Sequence, residues 1–465
     1  MKTYGAGSSA LTTGAGQLKN GETVGTVTIT DTNSGGLATA AVGGSYPLTP
    51  SAAMGGSFAP SNYDVHYHAG ILTVNAAPLD ITASNDSKTY GEVKTYGAGS
   101  SAFSTGAGQL KNGETVGTVT ITDTNSGGLA TAAVGGSYPL TPSAPTGGSF
   151  VATNYDVHYH AGILTVNAAP LDITASNDSK TYGEVKTYGA GSSAFTTGAG
   201  QLKNGDTVGT VTITDTNNGG AAPAAAGGSY PLTPSAATGG SFVATHYDTH
   251  YHAGALTVNA ALLTYVADHK SRPFGVANPP LTGIVTGFVN GETPSVLGGS
   301  LTFTTAATPA SAVGSYAING SGLTSGNYAF VQAPGNSTAL TIAAWSLAGF
   351  YQPVTMSAPG GAVVFNMIKG GQTVPLKFNI YESAGGPAIT SVLAASFALD
   401  AVSCGTAALL TDVDPTFSTT GGTSLRYDNG QFIQNWQTPS QPGLCLKVTM
   451  TAQDGSTLAA YFKTK

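Results

Sequence analysis

The string Lys-Thr-Tyr-Gly-Ala-Gly-Ser-Ser-Ala begins at Lys2, Lys94 and Lys186, a period of 92 residues run twice. Residues 2–93 and 94–185 differ at seven positions only: Leu11, Thr12, Ala53, Met54, Ala59, Pro60 and Ser61. Self-similarity at a fixed period restricts such a chain to a row of modules, each a small unit stacked on its neighbours. Near-identical copies suit a spacer or a multivalent binder, where copy number matters more than detail; a catalytic unit gains little from them. The third copy has drifted. Leu129, Val134, Val157 and Ile163 of the second copy become Ala221, Ala226, Thr249 and Ala255. Each change removes apolar side chain, so the third copy is expected to have the thinnest core.

Within one period the pattern is that of short strands. Leu79-Asp80-Ile81-Thr82-Ala83-Ser84 alternates and opens the unit, and Thr26-Val27-Thr28-Ile29-Thr30 alternates with Val27 and Ile29 directed inward. Tyr63 to His68, a turn at Ala69-Gly70, and Ile71 to Val74 read as a closing hairpin. Leu18 to Glu22 reads as one helical turn ended by Gly21. Adjacent units are joined by Ala76-Ala77-Pro78 alone, where proline limits flexing, so the array is expected to be a semi-rigid, monomeric rod. Met1 holds the position of Val93 and Val185 and falls after the opening strand. A valine codon read as an initiator would give this. The expectation is a truncated first unit, with a signal peptide and further repeats upstream.

Composition agrees with the pattern. Charged residues make up 8% and hydrophobic ones 41%, with 65 Gly, 21 Tyr and 16 Phe. The apolar content supports cores and argues against disorder, while Thr, Val, Tyr and Gly in place of Glu, Lys and Leu favour strands and turns over helices. Only 16 Lys and Arg occur, unclustered, in a chain of net charge -7, which excludes nucleic acid and an anionic membrane surface as partners. No stretch reaches the ~18–20 apolar residues of a membrane span.

The repeated unit resembles the YDG and MBG domains that occur in tandem in large bacterial surface proteins and adhesins. The residues that carry this are Ser87-Lys88-Thr89-Tyr90-Gly91, Lys111-Asn112-Gly113-Glu114-Thr115, Gly136-Ser137-Tyr138, Asn154-Tyr155-Asp156 and Gly162-Ile163-Leu164-Thr165-Val166. Residues 262–343 look like a shorter, diverged member. There Pro273-Phe274-Gly275 stands for Thr-Tyr-Gly, followed by Asn290-Gly291-Glu292-Thr293, Gly314-Ser315-Tyr316, Asn327-Tyr328 and Leu340-Thr341-Ile342. From Trp345 the texture changes. Gly349-Phe350-Tyr351-Gln352-Pro353 and Gly370 to Phe378, with its Pro375-Leu376-Lys377-Phe378, resemble the PxKF domain, a C-terminal module of bacterial secreted proteins.

These resemblances imply a mainly β fold of small Ig-like sandwiches or β-grasp-like units, ending in an Ig-like sandwich. The domains expected are 1–77, 78–169, 170–261, 262–343 and 344–465. The implied role is a non-enzymatic stalk or adhesive region of an extracellular or cell-surface protein. The alternative is a module binding glycans or host or neighbouring cell-surface proteins through multiplied weak contacts.

Candidate chemistry is sparse. Cys404 and Cys445 stand 41 positions apart, and in an exported chain they are expected to form a disulfide contributing about 4 kcal/mol by loop closure; the alternative is two free thiols. Asp64, His66 and His68 share one strand face, as do Asp156, His158 and His160, and Asp248, His250 and His252, where His246 is added. Such a set can bind Zn²⁺ or Cu²⁺ at a surface site. Yet i, i+2 ligands on a strand splay ~6.5–7 Å apart, and a solvated edge strand explains the same residues. Asp31-Thr32-Asn33-Ser34-Gly35 lacks the further carboxylates of a calcium loop and reads as an Asx turn. Gly-rich strings such as Gly14-Ala15-Gly16 lack the lysine and context of a nucleotide site. No catalytic motif and no cofactor is expected.

Overall fold

The computed structural model describes residues 1–6, 17–413 and 415–465. Among these there is no α-helix, only strands and single 3-10 turns, and therefore no helix long and apolar enough to cross a membrane. Two compact units result: residues 1–178, 187–217 and 230–256 form one, and residues 179–186, 218–229 and 257–465 the other.

The second repeat, wholly inside the first unit, shows the module complete. Its opening strand Ala77–Ala83 lies at the centre of a three-stranded sheet. On one side is the histidine strand Tyr155–His160, parallel, with Tyr155 opposite Ala77 and His160 opposite Thr82. On the other is the short strand Phe103–Thr105, antiparallel. A four-stranded sheet faces it. Its order is the tyrosine strand Asp86–Thr89, the closing strand Gly162–Asn167, the long strand Tyr138–Gly148 and the threonine strand Val116–Asp123. Alternation decides which side chains meet between the sheets. Leu79, Ile81 and Ala83 point in from one sheet, and Val119, Ile121, Leu140, Leu164 and Val166 from the other, all buried. Each such Leu, Ile or Val contributes roughly 1.5–3 kcal/mol by leaving water. The unit is a two-sheet sandwich; with no helix to lie across a sheet, it is not β-grasp-like.

Several expectations need correction. The closing segment is not a hairpin: the histidine and closing strands belong to different sheets, and the chain crosses between them at Ala161. Gly162 makes the crossing possible, because a Cβ there would lie 2.6 Å from the Ala83 and Ser84 carbonyl oxygens. Asn85 Oδ1 accepts the Ile163 N–H at 2.8 Å and staples this crossing to the one beside it. The helical turn at Leu18 to Glu22 is a β-turn: Glu22 N–H donates to the Lys19 carbonyl, and Asn20 and Gly21 both have positive φ, 52° and 72°. The third copy keeps buried core residues in Val211, Ile213, Leu232 and Leu256. Two of its four apolar losses fall where the second repeat holds exposed Leu129 and Ile163 and therefore remove no core. Only Val134 and Val157, partly buried, had packing to lose.

Among the described residues the first repeat has the four-stranded sheet's counterparts but no opening strand, and Lys2–Thr3 pairs with Val74–Asn75 as Lys88–Thr89 pairs with Val166–Asn167. Lys2 is thus used as Lys88, although its sequence string aligns with Lys94. Both lysines are buried and donate to equivalent loops, Lys2 to the Leu37 carbonyl and Lys88 to that of Leu129, with Lys88 donating also to the Glu92 carbonyl. Burial holds the Lys88 ammonium below its ordinary pKa.

In the second compact unit the fourth repeat repeats the scheme. Ala261–Ala267 runs parallel to Tyr328–Gln332, and Lys270–Pro273 parallel to Leu340–Ala343. Buried Arg272 replaces the lysine, donating to the Thr308 carbonyl at 2.6 Å. The last region packs a five-stranded sheet, including Thr373–Tyr381 and Gln431–Gln437, on a four-stranded one that includes Cys445–Ala452 and Thr457–Thr464. Trp436, Phe378, Phe432 and Phe462 fill its centre. Cys404 and Cys445 form a disulfide, their Cα atoms 5.2 Å apart, tying a loop to the strand that Cys445 begins.

Candidate functional site

The most elaborate side-chain geometry lies where one repeat meets the next. The tyrosine strand ends in Tyr, then a glycine in the left-handed region: φ is +86° at Gly5, +90° at Gly91 and +93° at Gly183. A Cβ on Gly91 would meet the Lys203 side chain at 2.5 Å, so positive φ and close approach both demand glycine. The turn sends the tyrosine into a socket on the following repeat.

At the first joint, the Tyr4 and Tyr155 rings meet edge to face, centroids 5.6 Å apart. Both hydroxyls donate to one carboxylate, Tyr4 to Glu114 Oε1 and Tyr155 to Oε2, each at 2.7 Å. Lys111 N–H donates to the Tyr155 hydroxyl oxygen at 2.8 Å. Asn112 Nδ2 reaches back to the Ala38 carbonyl at 3.4 Å, and Asn154 Oδ1 accepts the Val42 N–H at 3.0 Å. Burial, and the carboxylate beside it, push the Tyr155 hydroxyl up to about 12.

The same set recurs. Tyr90 meets Tyr247 at 5.6 Å over Asp206, with Asn204 donating to the Ala130 carbonyl at 3.1 Å. In the second compact unit, Tyr182 meets Tyr328 at 5.4 Å over Glu292, and Asn327 Oδ1 accepts the Ala226 N–H at 3.0 Å. The fourth repeat ends differently: Phe274 packs edge-on against Trp345 at 5.2 Å, and Trp345 Nε1–H donates to the Phe274 carbonyl at 2.9 Å. The motif strings around Tyr90, Glu114 and Tyr155 are therefore the parts of a joint. Sequence reasoning named the strings without that role, because the partners stand 110 or 116 residues apart, beyond one period.

Residues 1–73 and 263–338 match the family model of the MBG domain (YGX type). The near-copies of the first MBG segment lie between the two. No curated protein matches the chain. Among solved structures it is similar to the N-terminal eight Ig domains of Down Syndrome Cell Adhesion Molecule, with 12% identity over 90% of this chain and 61% of that one, at a TM-score of 0.23. It is also similar to a domain tandem from titin, with 10% identity over 63% and 98% and a TM-score of 0.19. Domains 1–6 of the surface layer protein SbsC follow, with 11% identity over 83% and 54% and a TM-score of 0.15. The sandwich architecture stands on the sheet topology.

The histidine face of the MBG-like repeats is engaged with itself. In the second repeat His160 Nε2 lies 2.9 Å from Asp80 Oδ1, and His158 Nε2 3.3 Å from Asp156 Oδ2. Gln109 Nε2 donates to Asp80 Oδ2 at 2.6 Å. Gln109, then His160, hold the Asp80 carboxyl below its ordinary pKa. The third repeat copies this: His252 lies 2.8 Å from Asp172, His250 3.6 Å from Asp248, and Gln201 donates to Asp172. In the first, His66 sits 3.3 Å from Asp64, and His68 has no opening strand beside it. Asp80 and Asp172, the decisive partners, come from the neighbouring strand and were missed in sequence. Among the described residues no group of three or more His, Cys, Asp or Glu is placed to hold a metal ion.

Asp31 accepts the Gly35 and Gly36 N–H groups at 2.8 and 2.5 Å; the turn consumes its oxygens, as an Asx turn does. The string Gly14-Ala15-Gly16 lies outside the described residues.

Proposed function

We propose that this chain is a spacer region of a bacterial extracellular or cell-surface protein, without catalysis of its own. One observation carries the reading: three successive repeats present the same Tyr–carboxylate–Tyr joint to the repeat that follows. Contacts that join one repeat to the next are what a spacer needs. The match to MBG-type domains and the disulfide, a bond of oxidising compartments, support an exported location. We divide the chain at 1–77, 78–169, 170–261, 262–343 and 344–465, the last as a PxKF-type module. Strand starts at Ala77, Ala169 and Ala261 support the division to within a residue. Protease shaving of intact producing cells tests the location. Repeat peptides released before lysis are expected; release only after lysis contradicts the proposal.

A further inference from the structure

The first repeat carries the same socket with no tyrosine in it. Tyr63 hydroxyl donates to Glu22 Oε2 at 2.7 Å, Lys19 N–H donates to the Tyr63 oxygen at 3.0 Å, and Phe58 packs on Tyr63 at 5.5 Å. In the filled socket of the second repeat the matching values are 2.7, 2.8 and 5.4 Å for Tyr155, Glu114, Lys111 and Phe150. The arrangement is thus preformed, so little ordering cost opposes binding. Among the described residues Glu22 Oε1, the oxygen whose counterparts in Glu114 and Glu292 take the incoming hydroxyl, accepts no bond. Asn62 is exposed where Asn154 is 4% exposed, and Tyr63 half-buried where Tyr155 is 6% exposed.

We propose that this face of the first repeat, centred on Glu22, Asn62 and Tyr63, receives a Lys-Thr-Tyr-Gly strand end supplied from outside residues 1–465. The occupant is read from the three filled sockets, which all take a tyrosine from such a strand end. It comes from outside residues 1–465 because the five Lys-Thr-Tyr-Gly strings within them are engaged. Tyr4, Tyr90 and Tyr182 fill sockets, while Tyr96 and Tyr188 donate to Asp86 and Asp178. The inference rests on the joint reading above, since the recognition chemistry is that of the joint: an edge-to-face ring contact and one carboxylate shared by two phenols.

The probe is a synthetic peptide with the sequence of residues 84–92, Ser-Asn-Asp-Ser-Lys-Thr-Tyr-Gly-Glu, bearing a benzophenone in place of the last residue. It is mixed at millimolar concentration with the full chain, irradiated, and the adducts mapped by mass spectrometry. Segments 17–22 and 58–63 are expected to be labelled about tenfold more than 109–114 and 150–155, whose sites are filled, a preference of about 1.4 kcal/mol. A control peptide with alanine for tyrosine is expected to lose that labelling, and Glu22→Gln in the protein to reduce it severalfold. No labelling above the alanine control, with the other sockets also unlabelled, overturns this inference and leaves the joint reading intact. Equal labelling of all sockets overturns the joint reading itself.

Discussion

The joint between the first two repeats and the joint between the second and third are built from nearly the same sequence, yet two substitutions set them apart. At the first, Glu114 offers one oxygen to each tyrosine. At the second, the shorter Asp206 serves both hydroxyls with Oδ2 alone, Tyr247 at 2.7 Å and Tyr90 at 3.2 Å. At the first, Asn154 accepts the Val42 amide. At the second, His246 takes the equivalent sequence position and packs at a tilt against Tyr90, centroids 4.4 Å apart, its Nδ1 enclosed and without a hydrogen-bond partner among the described residues. A buried polar atom without a partner costs about 1–3 kcal/mol. The third copy's divergence thus reaches the joint through Asp206 and His246, besides the two partly buried positions, now Ala226 and Thr249, that lose packing. The joint to the fourth repeat returns to Glu292 and Asn327.

The largest effect should come from breaking a filled socket and its unfilled counterpart in parallel. Tyr155→Ala is expected to destabilise the first two repeats by ~3–5 kcal/mol, as for a buried aromatic, and Tyr63→Ala by no more than about half of that. Native-state hydrogen exchange measures both. Equal losses would mean that the incoming tyrosine adds nothing.

Next in size is a contrast between two identical tetrapeptides. Lys88-Thr89-Tyr90-Gly91 ends in a glycine at φ +90° against Lys203, whereas Gly97 of Lys94-Thr95-Tyr96-Gly97 has open space around it and no positive φ. Gly91→Ala is expected to cost ~1–3 kcal/mol in thermal or denaturant unfolding, and Gly97→Ala to be close to neutral.

Repair of the weak joint should be a smaller gain. Asp206→Glu and His246→Asn, which copy the first joint, are each expected to stabilise by ~0.5–1.5 kcal/mol. The mirror changes Glu114→Asp and Asn154→His should lose a similar amount.

A further effect is alkaline. Tyr155, Tyr247 and Tyr328 are each raised to about 12, from an ordinary 10. Between those values the unfolded chain has lost phenol protons that the folded chain keeps, so folding loses stability as pH rises from 10 to 12 and keeps this contribution in full below 10. Phenolate absorbance titrated alongside unfolding reports it; tyrosines that all ionise near 10 without loosening the fold would contradict the sign.

Much of the fold was legible in sequence because alternation reports burial directly. The alternation of Leu79 to Ser84 and the inward direction of Val27 and Ile29 were read from period two alone, and Leu79, Ile81 and the counterparts Val119 and Ile121 are buried. The crossing at Gly162 was misread because Ala161-Gly162 has the composition of a hairpin turn, and only the Ala83 carbonyl, about 80 residues away, shows why a glycine stands there. Local sequence also does not determine the histidine strand. Tyr-Asp-Val-His-Tyr-His is a strand at 155–160 beside Ala77–Ala83, and is not one at 63–68, where no opening strand lies alongside. Val27 and Ile29 are half-buried there, while Val119 and Ile121 are buried. The joint was invisible for the same reason: its partners belong to different copies.

The central claim is that these repeats are held by their joints and that the second joint is the weakest. Hydrogen exchange at three equivalent amides, Val42, Val134 and Ala226, tests it most directly. Val42 and Ala226 donate across their joints to Asn154 and Asn327, whereas His246 takes the equivalent sequence position at the second joint and Val134 N–H donates no such bond among the described residues. The account predicts slow exchange at Val42 and Ala226 and markedly faster exchange at Val134. Equal protection at all three, or the slowest exchange at Val134, would contradict it.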